Sequence, residues 1–327
     1  MATLMGSMMR APVLSIITPL YNREWCIADC IASVGLAGQP AELIIVDDGS
    51  TDQSVARAQA AANALGLADQ LFIHTQANAG PSAARNRAAS LARGRWLVFL
   101  DSDDLWLPWT LPTLLAALES APGTAKLGFA QGRNFAEVAE LAALAPAAPE
   151  IQIAPSFVAA TRACRAMRFG ACNAMIRRDE FERLGGFPAD LKCSEDSDLF
   201  LRVHGETLLI TAPVLVGLRR AGQESLTGNV RNVLAGVDWL LQHDNSGRYA
   251  GSADDRRSFM AGAAAYGIRV AFAGGYPALA YRRYLASIGR LADGHTRGHL
   301  LRLPLTPLLH LLKPSVHPFR LTPPPRG

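Results

Sequence analysis

A chain of 327 residues is long enough for about two domains, or for one large domain with an appendage. Half of it is apolar and 18% is charged, which supports a sizeable packed core and excludes global disorder. The net charge of +4 is mild, the basic residues are scattered and aromatic residues are sparse, so no nucleic-acid partner is expected.

In chain order, four apolar, β-branched runs stand out: "VLSIIT" (13–18), "LIIVD" (43–47), "LFIHT" (71–75) and "WLVFLD" (96–101). Helical spacing fills the gaps between them. Ile27, Cys30, Ile31 and Val34 make one apolar face. "STDQSVARAQAAANALG" opens on capping residues and closes on Gly66, and "GPSAARNRAASLARG" opens with Pro81 in the first turn and closes on Gly94. Strand–helix repetition with continuously apolar strands predicts an α/β fold with a mostly parallel sheet covered on both faces. Ligands bind such sheets beyond the carboxyl ends of the strands, and polar residues gather there: Thr18–Asn22, Asp47–Asp52 and Asp101–Asp104.

Beyond about residue 120 the pattern loosens. "AEVAELAALAPAAPE" reads as a helix and then a loop. "FGACNAMIRR" reads as a strand, "DEFERLGGF" as a short helix stopped by Gly185 and Gly186, "SEDSDLFLRV" as a helix start and "LLITAPVLVGLRR" as one more strand. Three helical patterns follow, over 228–243, 255–273 and 276–293, and then a proline-broken apolar-basic tail. The five cysteines are odd in number and irregular in spacing, which predicts buried thiols in a reducing cytoplasm and not a disulfide framework or a zinc site. No signal peptide and no apolar run of membrane-spanning length is expected.

The stretch "WLVFLDSDDLW" packs Asp101, Asp103 and Asp104 into four positions at a strand end. Like charges so close repel, and burying one unpaired is costly, so a positive partner is required. No GxGxxG or GxxxxGK[ST] loop is placed to cradle phosphates, so something else must handle any phosphates, and a metal held by carboxylates can do that.

Five motifs in order, "SIITPLYN", "LIIVDDGSTD", "NAGPSAARNRA", "FLDSDD" and "GGFPADLKCSEDSDLFLR", resemble the family 2 glycosyltransferases of GT-A fold. The resemblance covers about 13–227. It implies a GT-A, Rossmann-like domain over 13–227 between an N-terminal tail (1–12) and a helical region (228–297), with a Pro-rich tail at 298–327. It implies an inverting transfer from a nucleoside-diphosphate sugar donor, UDP-linked in the first instance, to a hydroxyl of a glycan or lipid-linked acceptor in surface polysaccharide or glycoconjugate synthesis. Asp101-Ser-Asp103 looks like the family's DxD motif. By that likeness Asp103 binds a divalent cation, Mn or Mg, and Asp101 binds the cation or the ribose. Thr18, Pro19, Tyr21 and Asp48 match nucleotide-holding positions, with Tyr21 stacking on the base, Asp48 accepting from it and Asp47 forming the turn. Arg85 matches an arginine that approaches the base or the diphosphate. Glu195-Asp196 resembles the ED motif, in which Asp196 is the general base and Glu195 supports it or the acceptor. An Asp of ordinary pKa near 3.9 is ionised at neutral pH and suits that role.

The chain departs from the pattern at Ala221, where many relatives carry a metal-reaching His. Either water completes the coordination, or Arg220 or Gln223 contacts the diphosphate. Purely structural roles compete at several positions: helix capping by Asp104, Asx-turn formation by Asp47 or Asp48, and helix-dipole compensation by Glu195. A non-catalytic nucleotide-sugar or glycan-binding module and a nucleotidyltransferase are the rival classes. The intact Asp101, Asp103 and Asp196 argue against the first, and "TPLYNREW" lacks the glycine-rich basic loop of the second. The tail "LLRLPLTPLLHLLK" reads as a helix packed on the core or between subunits of a homo-oligomer, with peripheral membrane contact as the alternative.

Overall fold

The computed structural model describes residues 12–219 and 229–292. Arg220, Ala221, Gln223 and the tail from 298 lie outside the described residues, as does the N-terminal segment up to 11. The described chain divides into two compact units. The first runs to Ile153 and adds Ala166–Gly186 and Thr207–Arg219; the second takes Ala154–Arg165, Phe187–Glu206 and the residues from Asn229 on.

In the first unit the four apolar runs become β1 (Leu14–Leu20), β2 (Ala41–Asp47), β3 (Leu71–Thr75) and β4 (Trp96–Phe99). They pair in parallel in the order β3-β2-β1-β4, with Ile17 level with Ile44 on one side and Phe99 on the other. The crossovers carry α1 (Ile27–Ser33), α2 (Ser54–Ala64) and α3 (Pro81–Leu91). The apolar face read for α1 is buried: Ile27, Cys30, Ile31 and Val34 join the core with Leu14, Ile16 and Leu43.

After β5 (Leu105–Trp106) and α4 (Thr110–Glu119) come β6 (Ala125–Ala130), β7 (Gly132–Phe135), a single turn α5 (Ala139–Ala142) and β8 (Glu150–Ala154). Helix α6 (Phe157–Ala163) precedes β9 (Ala174–Arg177) and α7 (Arg178–Leu184). Then follow α8 (Glu195–Leu201), β10 (Glu206–Ala212) and β11 (Val216–Arg219). The large sheet continues past β4 as β9-β6-β10-β8, with β9 antiparallel to both neighbours, and a small sheet has the order β5-β11-β7.

Three expectations are corrected. "LLITAPVLVGLRR" is two strands in two sheets, because Pro213 has no N–H to donate and ends the first. The Ala-rich helix before residue 150 shrinks to α5, whose stretch carries only one buried apolar residue, Leu141. Helix α3 ends at Leu91, and Gly94 is required instead by β1: a Cβ there would lie 2.5 Å from the Ser15 nitrogen.

In the second unit the three C-terminal patterns form α9 (Val230–His243), α10 (Ala253–Ala273) and α11 (Pro277–Leu291), close to the predicted spans. They pack through Leu234, Ala265, Ile268, Ala271, Ala280 and Leu291. Phe157 of α6 meets Phe200 of α8 and Phe259 of α10 with tilted rings. No helix among the described residues is long and apolar enough to cross a membrane.

Candidate active site

The carboxyl ends of β1, β2 and β4 carry the site of the first unit. Thr18, near the end of β1, is buried, and its hydroxyl has no hydrogen-bond partner among the described residues. That is an unusual state for a buried polar atom. Pro19 follows, and Tyr21 then stands 45% exposed. The next turn is laced to the turn after β2. The Asn22 amide donates to Ser50 Oγ at 2.9 Å, Asn22 Oδ1 accepts from the Thr51 amide at 2.8 Å, and the Arg23 amide donates to Ser54 Oγ at 2.6 Å. Asn22 takes φ +49°, which its short polar side chain tolerates.

Asp47 makes the turn: both its carboxylate oxygens accept from the Ser50 amide. Asp48 reaches the other way. Its Oδ1 accepts from Gln76 Nε2 at 2.8 Å and the Ala79 amide at 2.9 Å, and its Oδ2 accepts from the Gly80 amide at 2.8 Å. Asp48 thereby orders the loop that opens α3. A carboxylate has about four acceptor sites, so these three bonds leave one on Oδ2.

Arg85 of α3 is buried and donates from Nη2 to Asp101 Oδ1 at 2.6 Å. Asp103 faces Arg23, with 3.4 Å between Oδ2 and Nε and a third of each side chain exposed. Asp104 turns inward, is 5% exposed, and accepts the Arg219 amide at 2.7 Å on Oδ1. The thiols of Cys26, just before α1, and Cys30 within it point at the carbonyls of Ser102 and Asp101 in the acidic loop, at 3.4 and 3.7 Å. Burial, and then the carboxylates nearby, push both thiols up, Cys26 to about 12, so they stay protonated donors.

Burial and the charge of Asp101 raise the pKa of Asp103, while Arg23 pulls the other way. For Asp104, burial and the charges of Asp101 and Asp103 raise it well above the ordinary carboxylate range. The loop's oxygen-rich donor set is of the kind that fits a hard divalent cation. One acidic group closes up tightly: ligand atoms of Asp101, Asp104 and Cys172 lie within 4.8 Å of one another. Asp103, expected beside Asp101, is not in that group but stands on its more open side against Arg23.

Sequence reasoning passed over Arg23, Trp25 and Arg219. Arg219 donates from Nε to the Asp103 carbonyl at 3.0 Å and lies over the rings of Trp25 and Phe135, 5.0 and 4.7 Å from their centroids. The "RR" ending the β11 stretch was the available signal, but only the pairing of β11 with β5 and β7 brings it to the acidic loop.

Glu195 and Asp196 belong to the second unit and open α8. Asp196 Oδ1 accepts the Ser197 amide at 2.6 Å. The Cys193 thiol is pushed up to about 12 by burial and then by the charges of Glu195 and Asp196.

Solved structures share this architecture. S. aureus TarS 1–349 in complex with UDP-GlcNAc superposes with a TM-score of 0.60 at 16% identity, covering 94% of each chain. The mannosyltransferase PcManGT of Pyrobaculum calidifontis, in complex with GDP-Man and Mn2+, gives 0.57 at 21% identity over 93% of this chain and 82% of its own. The fold is GT-A. Residues 15–184 match the family model of glycosyl transferase family 2, and the chain belongs to that family. An uncharacterized glycosyltransferase of Haemophilus influenzae is 24% identical over 76% of this chain and 80% of its own length. The succinoglycan biosynthesis protein ExoU of Rhizobium meliloti is 36% identical over 31% of this chain, which spans only 29% of that relative.

Proposed function

We propose that this family 2 glycosyltransferase inverts configuration as it moves a sugar from a nucleoside-diphosphate donor to an acceptor hydroxyl, with a divalent cation on the acidic loop. The observation that carries the reading is the gathering of Asp101, Asp103 and Asp104 at the carboxyl edge of β4 with raised proton affinities at two of them. Asp103 and Asp101 would hold the cation, with Asp104 behind them; when bound, it offsets the charge that builds on the leaving diphosphate. Thr18, Pro19, Tyr21 and Asp48 receive the nucleoside, and Arg85 adds positive charge beside Asp101. Asp196 takes the proton from the acceptor oxygen as that oxygen bonds to the anomeric carbon, and Glu195 supports it. The electron pair of the broken glycosidic bond leaves on the diphosphate.

Relatives divide on the base, since TarS is seen with UDP-GlcNAc and PcManGT with GDP-Man. UDP is the first reading for this chain. A glycan or lipid-linked acceptor in polysaccharide or glycoconjugate assembly is the acceptor class, a reading supported by the short match to ExoU.

The test is calorimetry and turnover together. UDP or GDP should bind with Mn2+ and much more weakly in EDTA, whereas Asp103→Ala should bind equally weakly in both. Metal-independent affinity in the parent would sink the cation reading. Asp196→Asn should keep nucleotide affinity and lose roughly 10²–10⁴-fold in turnover, the usual worth of a positioned base. The product's anomeric configuration, read by NMR, should be opposite to the donor's.

A further inference from the structure

Helix α8 has seven residues, too few to hold its shape alone in water. It also opens on Ser194 at φ +67°, a left-handed conformation that a residue with a side chain adopts only when its surroundings impose it. Three contacts within the second unit supply the constraint. First, Gly236 stands in the middle of α9, where a glycine costs about 1 kcal/mol relative to Ala. Close approach explains it. A Cβ at 236 would run into the Cys193 carbonyl oxygen and lie 2.7 Å from Ser194 Oγ. Cys193 itself packs against Val233 and Val270.

Second, Asp198, two residues after Asp196, is completely buried and surrounded by donors. Its Oδ1 accepts from Trp239 Nε1, Arg248 Nε and Tyr249 Oη, each at 3.0 Å. Its Oδ2 accepts from Arg202 Nε and Arg248 Nη2, both at 3.0 Å. Burial alone would raise its pKa, but the hydrogen bonds from Arg248 and Trp239 and the Arg202 charge bring it below the ordinary carboxylate range. Third, the Ala250 amide donates to the Leu201 carbonyl at 2.7 Å, at the far end of the helix.

We infer that α9 and the segment 248–250 form a positioning frame for α8, with Gly236 and Asp198 setting where the Glu195 and Asp196 carboxylates stand. The inference rests on the reading of Asp196 as general base. Gly236 and Asp198 touch no substrate in this scheme and act through the α8 backbone.

Gly236→Ala and Trp239→Phe test it in the full chain. The first keeps a good helix former in α9 and drives a methyl group into the Cys193–Ser194 backbone. The second removes a single donor from Asp198 and keeps an aromatic ring beside His243, on which Trp239 stacks at 4.1 Å. Asp198→Asn is the harsher variant and can unfold the unit, since it leaves two arginines facing a neutral group. By hydrogen exchange, peptides spanning 193–201 should open about tenfold faster in Gly236→Ala, with those spanning 96–106 unchanged. Turnover is read as nucleoside diphosphate released with Mn2+ from UDP-GlcNAc or GDP-Man, whichever the parent uses. It should fall at least about tenfold in kcat, with the donor KM and the UDP affinity unchanged, a split that general destabilisation would not give. Unchanged exchange over 193–201, or parent kcat in a folded Gly236→Ala protein, overturns the inference. Asp196→Asn, run in parallel, separates the two readings. If it is inactive while Gly236→Ala turns over normally, the frame fails and the base stands. If it turns over at the parent rate, the base assignment itself is at fault.

Discussion

Asp104 is the carboxylate of the acidic loop that water reaches least, and it accepts the Arg219 amide. Its proton affinity is raised in the folded chain by burial and by Asp101 and Asp103. For such a group the stability contribution is fully present below the unfolded pKa, about 3.9, and is lost as pH rises through the higher folded value. At neutral pH without divalent cation, where the unfolded chain ionises this carboxylate freely, Asp104 therefore weakens the fold. Asp104→Asn keeps an acceptor for Arg219 and removes the charge. Differential scanning fluorimetry in EDTA at pH 7 should show its melting temperature above the parent's by a few degrees, and the gain should vanish near pH 3.5. A lower melting temperature at pH 7 would mean that the loop is already neutralised by Arg23, Arg85 and Arg219. Glu42 is a buried carboxylate with several donors around it. It sits 2% exposed in the apolar strand β2, yet accepts from Ser15 Oγ at 2.6 Å, the Arg93 amide at 2.7 Å and Arg93 Nε at 2.8 Å.

At the scale of elements, β1 is the organising strand, with β2 and β4 on its two sides and the turn to Tyr21 at its end. Gly94 lets the chain before β4 come against it: the Gly94 amide donates to Ser15 Oγ at 2.8 Å. A methyl at 94 would meet the backbone of Leu14 and Ser15, which open β1 and are paired with β2 and β4 on its two sides. Gly94→Ala should cost about 1–3 kcal/mol, the usual range for overpacking, seen as a lower urea midpoint. Gly123→Ala, where an added Cβ meets nothing within 4 Å, is the control and should leave the midpoint near the parent's.

At the scale of the whole molecule, the two units should respond to acid in opposite directions at Asp104 and Asp198. Asp198 has a depressed folded pKa, so its contribution is present above the unfolded value, about 3.9, and disappears as pH falls through the folded one. The acidic loop gains from protonation earlier in the acidification, as pH falls from the raised folded value of Asp104 toward about 3.9. Acidification from pH 5 to pH 3 in EDTA should reduce hydrogen-exchange protection over 195–201 while protection over 101–106 holds or rises, once rates are corrected for the intrinsic effect of pH. Parallel loss in both segments would count against this electrostatic account.

The sequence alone was sufficient for the elements whose signal is local. The four apolar runs, the α1 face and the stop at Gly185, which takes φ +74°, depend on hydrophobic period and backbone freedom, and these survive without knowledge of neighbours. The acidic loop was legible for the same reason, as three charges after five apolar residues admit few explanations. Other features depend on contacts between residues far apart in the chain. The reversed direction of β9, the split of "LLITAPVLVGLRR" between two sheets and the seat of Arg219 beside Asp103 are set by which strands pair, and a strand's own residues do not encode its neighbour. Gly236 and Asp198 belong there too. A glycine within a helix and an aspartate in an acidic helix start read as a weak spot and a solvated charge. Only packing of the 193–201 segment against α9 and 248–250 turns the first into a close contact and the second into a buried anchor.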